Sequence, residues 1–548
     1  MLSHSRRHRP AYAGSALLTV AFLTACLDKG TTEAEAGQSE WFEEPVTVTV
    51  ELDRSLVTVP PYAFGIHTSV YDNALHDEPL PELLAAAGIA LLRYPGGGYS
   101  DNYHWSTHTM TPWPAQEAGQ QPNAGYLAPG SDFGSYVSVL ERTGTTAMIT
   151  VNYGSNPAGD GPGEPQEAAA WVAYANGDPD DDTVIGVDST GYDWQTVGYW
   201  AGLRAADPLP PPEEGADEDP LNFLRISHPE PLDIQYWEVG NEVFGNGYYG
   251  GREFELDLHV PYDGTERWGN SGLSPTAYGQ GVVEYLEAMK GVDPSIKVGA
   301  VLVTPPMDYS WAPEWNDEVL SECGEQIDFA IVHWYAATDA RSLLRAPQQQ
   351  VPLIMEELEG AFAEHRSADT TPIEVAVTEL GPNFSVPWEM SQITGLFAAD
   401  VHATCLEHGV MNLDWLELHN GSFLSERSDR KGPAYNGIQM AHLLAGPGDQ
   451  LVVASSSDDN LVAHAALRED GTAGLLLINT ARATLARVTA EIDGSALGAS
   501  AELYHYRPEG EASNGVVEGP VPLDDVGSPL AVDVPPYSAT VVRIPLEQ

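Results

Sequence analysis

Two glutamates carry the plainest chemical signal in the chain. Glu242 closes the segment Trp237-Glu238-Val239-Gly240-Asn241-Glu242, and Glu379 lies in Thr378-Glu379-Leu380. Each follows a short apolar run, where a carboxylate buried without a partner is costly. A facing pair of carboxyls can divide two tasks. One, protonated, donates to a departing oxygen; the other, ionised, attacks the carbon that this oxygen leaves. Unlike surroundings push the two pKa values apart, so one residue type serves both roles. That division of labour suits cleavage of a glycosidic bond. Taken singly, each glutamate reads as half of a surface salt bridge. Taken together, with Asn241 beside one of them, they read as an active pair.

Such a pair needs a frame that brings distant strand ends together. Apolar runs at 63–69, 90–94, 147–153, 234–239, 296–303, 329–334, 373–380 and 411–418 read as strands. Helical patterns at 81–87, 133–142, 165–175, 194–205, 275–290, 353–364 and 391–408 alternate with them. The last places Ile393, Leu396, Phe397, Val401 and Leu406 on one apolar face. Eight strands of this kind, alternating with helices, predict an α/β fold, a closed (β/α)8 TIM barrel over residues 60–445. No G-x-G-x-x-G follows the first strand, which counts against an open doubly wound sheet. In this frame Glu242 and Glu379 fall at the C-terminal ends of strands four and seven, the rim where barrels place chemistry. Glu374 opens strand seven, roughly 16 Å below Glu379, and Glu238 is expected to point into the barrel interior. The barrel exceeds the usual length because of loops at 110–129, 154–164, 176–192 and 206–219. Past Gly446 the helical period stops, and short strands between turns predict a β-sandwich over 446–548. The alternating run in the 45–59 region is expected to pair into that sandwich.

Composition narrows the partners. Lys and Arg total 24 against 80 Asp and Glu, a net charge of -56, which repels phosphate backbones and argues against nucleic acid. Arg6, Arg7 and Arg9 precede a short apolar stretch that runs into Leu23-Thr24-Ala25-Cys26. This pattern resembles a bacterial lipobox. Residues 1–25 then read as a lipoprotein signal peptide, Cys26 as the lipidated residue, and 26–44 as a flexible acidic tether. Leu27, in place of Asp, points to an outer-membrane or cell-surface location, with membrane contact through the lipid alone. Cys323 and Cys405 read as buried thiols. The acidic loops 178–182 and 213–219 lack calcium-loop spacing and read as solvated. No zinc spacing or phosphate loop is present, and no cofactor is expected.

The motifs together resemble those of the clan A retaining glycoside hydrolases, in which an Asn-Glu pair ends strand four and a nucleophilic Glu ends strand seven. Arg93-Tyr94-Pro95-Gly96-Gly97, with Asn102, Tyr103 and Trp105 behind it, is similar to a segment of the family 51 α-L-arabinofuranosidases. Segments 169–177 and 328–335 resemble that family in order and spacing. The resemblance implies that Glu242 is the general acid/base and Glu379 the nucleophile. It implies that Asn241 binds the sugar 2-hydroxyl, Arg93 contacts Glu379, His333 and Tyr335 floor the site, and Tyr335 donates to the nucleophile. It also implies a carboxyl separation of about 5 Å.

Three departures bear on the substrate. Gly98 stands where the family has Asn. Ile66-His67-Thr68-Ser69 stands where the family carries a substrate-binding Glu. Leu380-Gly381-Pro382-Asn383 replaces a Trp-containing segment. These changes remove hydrogen bonds to a furanose and leave room for another plant-type polysaccharide. Trp105, Tyr248, Tyr249, Trp268, Trp311, Trp334, Trp388 and Trp415 are candidate stacking platforms, two or three of them in contact with sugar and the rest in the core. The loop 245–251 is read as a cover for bound sugar, and Glu417 as either a hydroxyl ligand or a buried salt-bridge partner. The reading is a retaining hydrolase, α-L-arabinofuranosidase-like. The rivals are an endo-xylanase or endo-glucanase of the same clan, and a non-catalytic carbohydrate-binding surface lipoprotein.

Overall fold

Eight parallel strands close on themselves in the computed structural model. In chain order they are Phe64–His67, Leu91–Tyr94, Thr146–Val151, Tyr236–Val239, Lys297–Val301, Phe329–Ala336, Glu374–Pro382 and Asn412–Trp415, hereafter barrel strands one to eight. The structure describes residues 40–41, 45–111, 127–212, 219–245, 257–259, 274–305, 314–337, 339–383, 391–419, 421–425, 429–507 and 515–547. The signal and lipidation reading at Cys26, most of the tether, and Tyr248, Tyr249, Trp268, Trp311 and Trp388 lie outside these residues, as does most of the loop 245–251. Among the described residues no helix is long and apolar enough to cross a membrane.

Local rules explain the helices between the strands. Asp132 and Ser274 cap theirs by accepting from Ser135 N and Ala277 N. Pro275 follows Ser274 at the start of the same helix, and Pro165 and Pro433 open others, where a missing N–H costs nothing. The helix expected from residue 353 begins earlier, at Ala346, and runs straight through Pro352. That internal proline reads as a boundary in sequence but is absorbed here. The helices Trp315–Cys323 and Pro433–Leu444 carry no pattern strong enough to be anticipated. Cys323 and Cys405 are both buried free thiols.

The barrel interior is polar. Arg93, Thr150, Glu238, Asn412 and Asp414 are all buried within it. Gly65 of strand one leaves space for strand eight, since a Cβ there would sit 1.8 Å from Asp414 Oδ1. Burial first, and then the Glu238 charge, raise the Asp414 pKa well above its usual value. The site described below therefore stands on a floor of paired charge rather than on hydrocarbon.

The C-terminal strands from Gln450 to Glu547 form a sheet that folds over a second apolar core of Val452, Leu475, Leu477, Val488, Val532 and Val542. Val46–Thr58 enters it, antiparallel to Gln450–Ser456 and parallel to Thr484–Asp493. The helix Gln392–Glu407 is buried nearly all round rather than on one face. Helix Pro433–Leu444 and the C-terminal sheet cover the side that a free-standing barrel would leave wet. At this junction His464 of the sheet inserts between two carboxylates of the helix, 3.1 Å from Asp400 and 2.8 Å from Glu407. Burial opposes its charge, but the two acids raise its pKa to about 10.

Candidate active site

Strand ends bring the site together. Barrel strand four delivers Glu238 inward, and the turn after it delivers Asn241 and Glu242. Asp101, from the loop after strand two, fixes that turn: Oδ2 accepts from Asn241 N at 3.0 Å and Oδ1 from Tyr153 N at 3.2 Å. Burial raises the Asp101 carboxyl to about 8 against the pull of these N–H donors. Glu242 itself has φ 32°, a backbone region that residues with a side chain rarely enter and that clusters at functional sites.

Glu379 arrives from strand seven. A register shift at Val332/His333 sets His333 of strand six opposite it. Arg93 Nη1 donates to Glu379 Oε1 at 3.0 Å, and the Tyr335 hydroxyl donates to Oε2 at 2.5 Å. The guanidinium is fully buried and shared. Its Nε donates to Glu238 at 2.8 Å, its Nη2 to Asn241 Oδ1 at 2.7 Å, and its Nη1 also to His67 Nδ1 at 3.0 Å. Thr150 adds a donor to Glu238. Burial alone would raise the Glu379 carboxyl. The positive field of His333 and Arg93, with the Tyr335 hydrogen bond, instead holds it down to about 2. Burial, and then the charge of Arg93, keep His67 neutral, lowered to about 3.

His333 bridges the two glutamates. Its Nδ1 lies 2.7 Å from Glu242 Oε1 and 3.5 Å from Glu379 Oε2, and its Nε2 lies 3.1 Å from the Thr378 hydroxyl. Burial works against a charge on His333, but Glu379 and Glu242 outweigh it and raise the pKa. One carboxylate oxygen of each glutamate and the imidazole nitrogen lie within 4.8 Å of one another. These three donors are also close enough to hold a cation, as are Asp317, Glu364 and His365 on the surface. A cation on the first set would occupy the same carboxylate oxygens that the pair offers to a reacting sugar.

Glu242, Glu379, Arg93, Asn241, His333 and Tyr335 thus meet at one mouth of the barrel. Trp105 and Trp334 do not join them. Trp105 is 1% exposed, stacked on Trp171 at 5.4 Å, and its indole N–H donates to the Glu167 carbonyl. Trp334 is 4% exposed and packs on Phe397 of an outer helix. Neighbours on a strand face opposite ways, so turning His333 and Tyr335 inward turns Trp334 out. Trp415 is likewise in the core, its indole N–H donating to Ser422. Glu374 pairs with Lys297 at 2.6 Å at the far end of the barrel.

Some residues of the site escape sequence reasoning. His67 has a usable signal, since Gly65 and His67 alternate on strand one and share a face. Asp101 has none, for it sits in a short 3₁₀ turn whose role appears only when Asn241 folds against it. Glu417 forms no salt bridge among the described residues; its Oε2 accepts from Ser69 and Tyr71 at 3.2 and 2.9 Å.

An eight-stranded parallel barrel joined to a strand-rich C-terminal domain, here with two glutamates at the ends of strands four and seven, is a fold that this chain shares with solved glycoside hydrolases. Within it, the chain resembles the family 51 α-L-arabinofuranosidases in both sequence and fold. A probable α-L-arabinofuranosidase C from Aspergillus fumigatus is 23% identical over 275 residues, 47% of this chain and 41% of the relative. The match therefore spans about two fifths of that relative's length. The structure of an α-L-arabinofuranosidase from Thermotoga maritima, in complex with arabinose, superposes with a TM-score of 0.64 at 18% identity, covering 91% of this chain and 99% of the other. A bifunctional glucanase-xylanase from a metagenome library superposes at 0.59 with 14% identity, covering 92% and 99%. No protein-family model matches the chain.

Proposed function

We propose that this chain is a retaining glycoside hydrolase of α-L-arabinofuranosidase type, acting on plant-type polysaccharide. The observation that carries the reading is the approach of Glu242 and Glu379 oxygens to within 4.8 Å across one barrel mouth. Retaining enzymes need about 5–5.5 Å between carboxyl groups, whereas inverting ones leave about 6.5–9.5 Å for a water. Glu379, kept ionised by Arg93, His333 and Tyr335, attacks the anomeric carbon. Glu242 gives its proton to the leaving oxygen, and a glycosyl ester forms on Glu379. Glu242 then takes a proton from water, whose oxygen displaces the ester and regenerates the free carboxylate. The Asn241 amide oxygen is held by Arg93, which sets the amide to meet the sugar 2-hydroxyl. The sequence resemblance to arabinofuranosidases supports the sugar. The fold likeness to a glucanase-xylanase supports a second reading, an endo-acting enzyme of the same clan.

The same proposal places the enzyme outside the cytoplasm on a lipid anchor at Cys26, supported by the basic and apolar segments before Leu23-Thr24-Ala25-Cys26. A panel of aryl arabinofuranosides, xylosides and glucosides, with viscometry on arabinan, xylan and glucan, tests the activity. Release from the arabinofuranoside without loss of viscosity is expected. Rapid viscosity loss would favour the endo-acting reading, and turnover of no substrate would leave a carbohydrate binder.

A further inference from the structure

Away from the catalytic mouth, a polar recess of about 350 Å³ opens where the barrel meets the C-terminal sheet. That volume lies within the roughly 300–1,000 Å³ of sites for small ligands. Residues 344–349, at the start of helix Ala346–His365, form one wall. Strands Gln450–Ser456 and Leu461–Leu467, with the turn between them, form the other. A helix that follows a barrel strand runs back along it, so the first turn of this helix stands at the end of strand six that carries Tyr335. The recess therefore shares the catalytic end of the barrel but lies outside its ring. Both walls are fastened to one carboxylate. Gln348 Nε2 donates to Asp400 Oδ1 at 2.9 Å and to Thr404 Oγ1 at 2.7 Å, while His464, next to the lining residue Ala463, meets the same Oδ1 at 3.1 Å. The turn is pinned as well, with Asp458 Oδ1 accepting from Asn460 N at 2.8 Å and Ser456 Oγ from Asp458 N at 3.2 Å. The cleft is set before anything enters it.

The polar groups that line it are open. Both amide hydrogens of Gln348 are committed to Asp400 and Thr404, which leaves its Oε1 to accept. The side chains of Arg345, Gln349, Ser455 and Asp459 have no hydrogen-bond or ion-pair partner among the described residues. Arg345 is half-buried, in a chain with 80 acids to 24 bases. A guanidinium that pairs with none of them adds nothing to stability through pairing. Beside these groups the recess is lined by apolar Leu344 and Leu461. This mixture suits a sugar, whose hydroxyls both donate and accept and whose C–H faces take apolar contact. Asp458 and Asp459 against one arginine disfavour a carboxylated or phosphorylated ligand. No aromatic ring lines the recess among the described residues, so affinity rests on hydrogen bonds and is weak for a single sugar.

We propose that this recess is an accessory site for a neutral sugar unit, holding a polysaccharide at the catalytic end of the barrel without cleaving it. The choice of a sugar rests on the proposed hydrolase; the site itself is separate from Glu242 and Glu379. Native affinity electrophoresis of the full chain, in gels containing arabinan, xylan or polygalacturonate, tests it. Glu379→Gln is used throughout to stop turnover. Gly97→Leu is added to fill the mouth, since a Cβ at 97 would already stand 2.7 Å from Glu379 Oε1. Retardation by arabinan or xylan is expected to survive Gly97→Leu. Arg345→Ala in that background should raise the Kd for the polymer about 10-fold, as loss of a hydrogen bond to a charged group does. Arg345→Lys, which keeps the charge but not the fork, should recover part of the affinity. Ser455→Leu, on the opposite wall, should weaken retardation too. Melting temperatures should stay level with the background, because neither side chain has a partner in the fold. Retardation lost entirely with Gly97→Leu, or unchanged by both Arg345→Ala and Ser455→Leu, would overturn the inference. So would stronger retardation by polygalacturonate that Arg345→Ala abolishes, the mark of an anion site. If the wild type turns over no glycoside, the hydrolase reading fails, and the same gels still decide the recess.

Discussion

Arg93 and Glu379 meet at 3.0 Å across the barrel, from strand two to strand seven, with the guanidinium wholly enclosed. The same guanidinium reaches Glu238, Asn241 and His67, so one cation serves four acceptors. Removing one partner of a buried ion pair strands the other and costs about 3–5 kcal/mol. Arg93→Ala is expected to lose stability of that order in urea denaturation and to lose activity with it. Arg93→Lys keeps the charge but not the fork, so it should keep more stability than Ala while remaining poorly active. A loss below about 1 kcal/mol for Arg93→Ala, the scale of an exposed pair, would contradict the arrangement.

Tyr335 sharpens the nucleophile by donating to Glu379 Oε2. Its hydrogen bond lowers the Glu379 pKa, so deleting it lets that pKa rise. Tyr335→Phe should move the acidic limb of the kcat/KM profile to higher pH and lower the plateau. An acidic limb unmoved from wild type would show that the phenol does not act on this carboxylate.

Glu242→Gln removes the proton donor and leaves the shape. General acid catalysis contributes about 10²–10⁴-fold, so kcat/KM should fall by that much on natural linkages. It should fall far less on a dinitrophenyl glycoside, whose leaving group needs no proton. Equal losses on both would deny Glu242 the acid role.

His464 makes a pH-dependent clamp between helix Gln392–Glu407 and the C-terminal sheet. Its folded pKa of about 10 stands above the unfolded value of 6.5. The stabilisation is therefore complete below pH 6.5 and drains away as pH climbs through 10. The wild-type melting temperature should decline across that window more steeply than that of His464→Asn. Parallel curves would place the imidazole outside the linkage.

Much of this architecture could be read before any coordinates. All eight barrel strands fall where short apolar-rich runs occur, because burial on both faces keeps most of each strand apolar and only the inward polar residues interrupt it. Glu242 and Glu379 stood out because a carboxylate at the end of such a run is expensive without a function. The aromatic residues were less legible. Trp105 and Trp334 look the same in sequence whether they stack on sugar or on Trp171 and Phe397, and only packing separates the two. Glu417 was legible as either a hydroxyl ligand or a buried salt-bridge partner, but its contacts with Ser69 and Tyr71 were hidden for another reason. Those contacts join residues at the two ends of the barrel sequence, and only closure of strand eight onto strand one makes them neighbours. Ser69, in the segment where the family resemblance implies a glutamate, instead donates to Glu417.

The account turns on attack by Glu379 through a covalent ester. Proton NMR of the first sugar released from the best aryl glycoside, recorded before mutarotation, reports the outcome directly. The product is expected to carry the anomeric configuration of the substrate. A product of opposite configuration would mean that water attacks in one step, and Glu379 would not be the nucleophile.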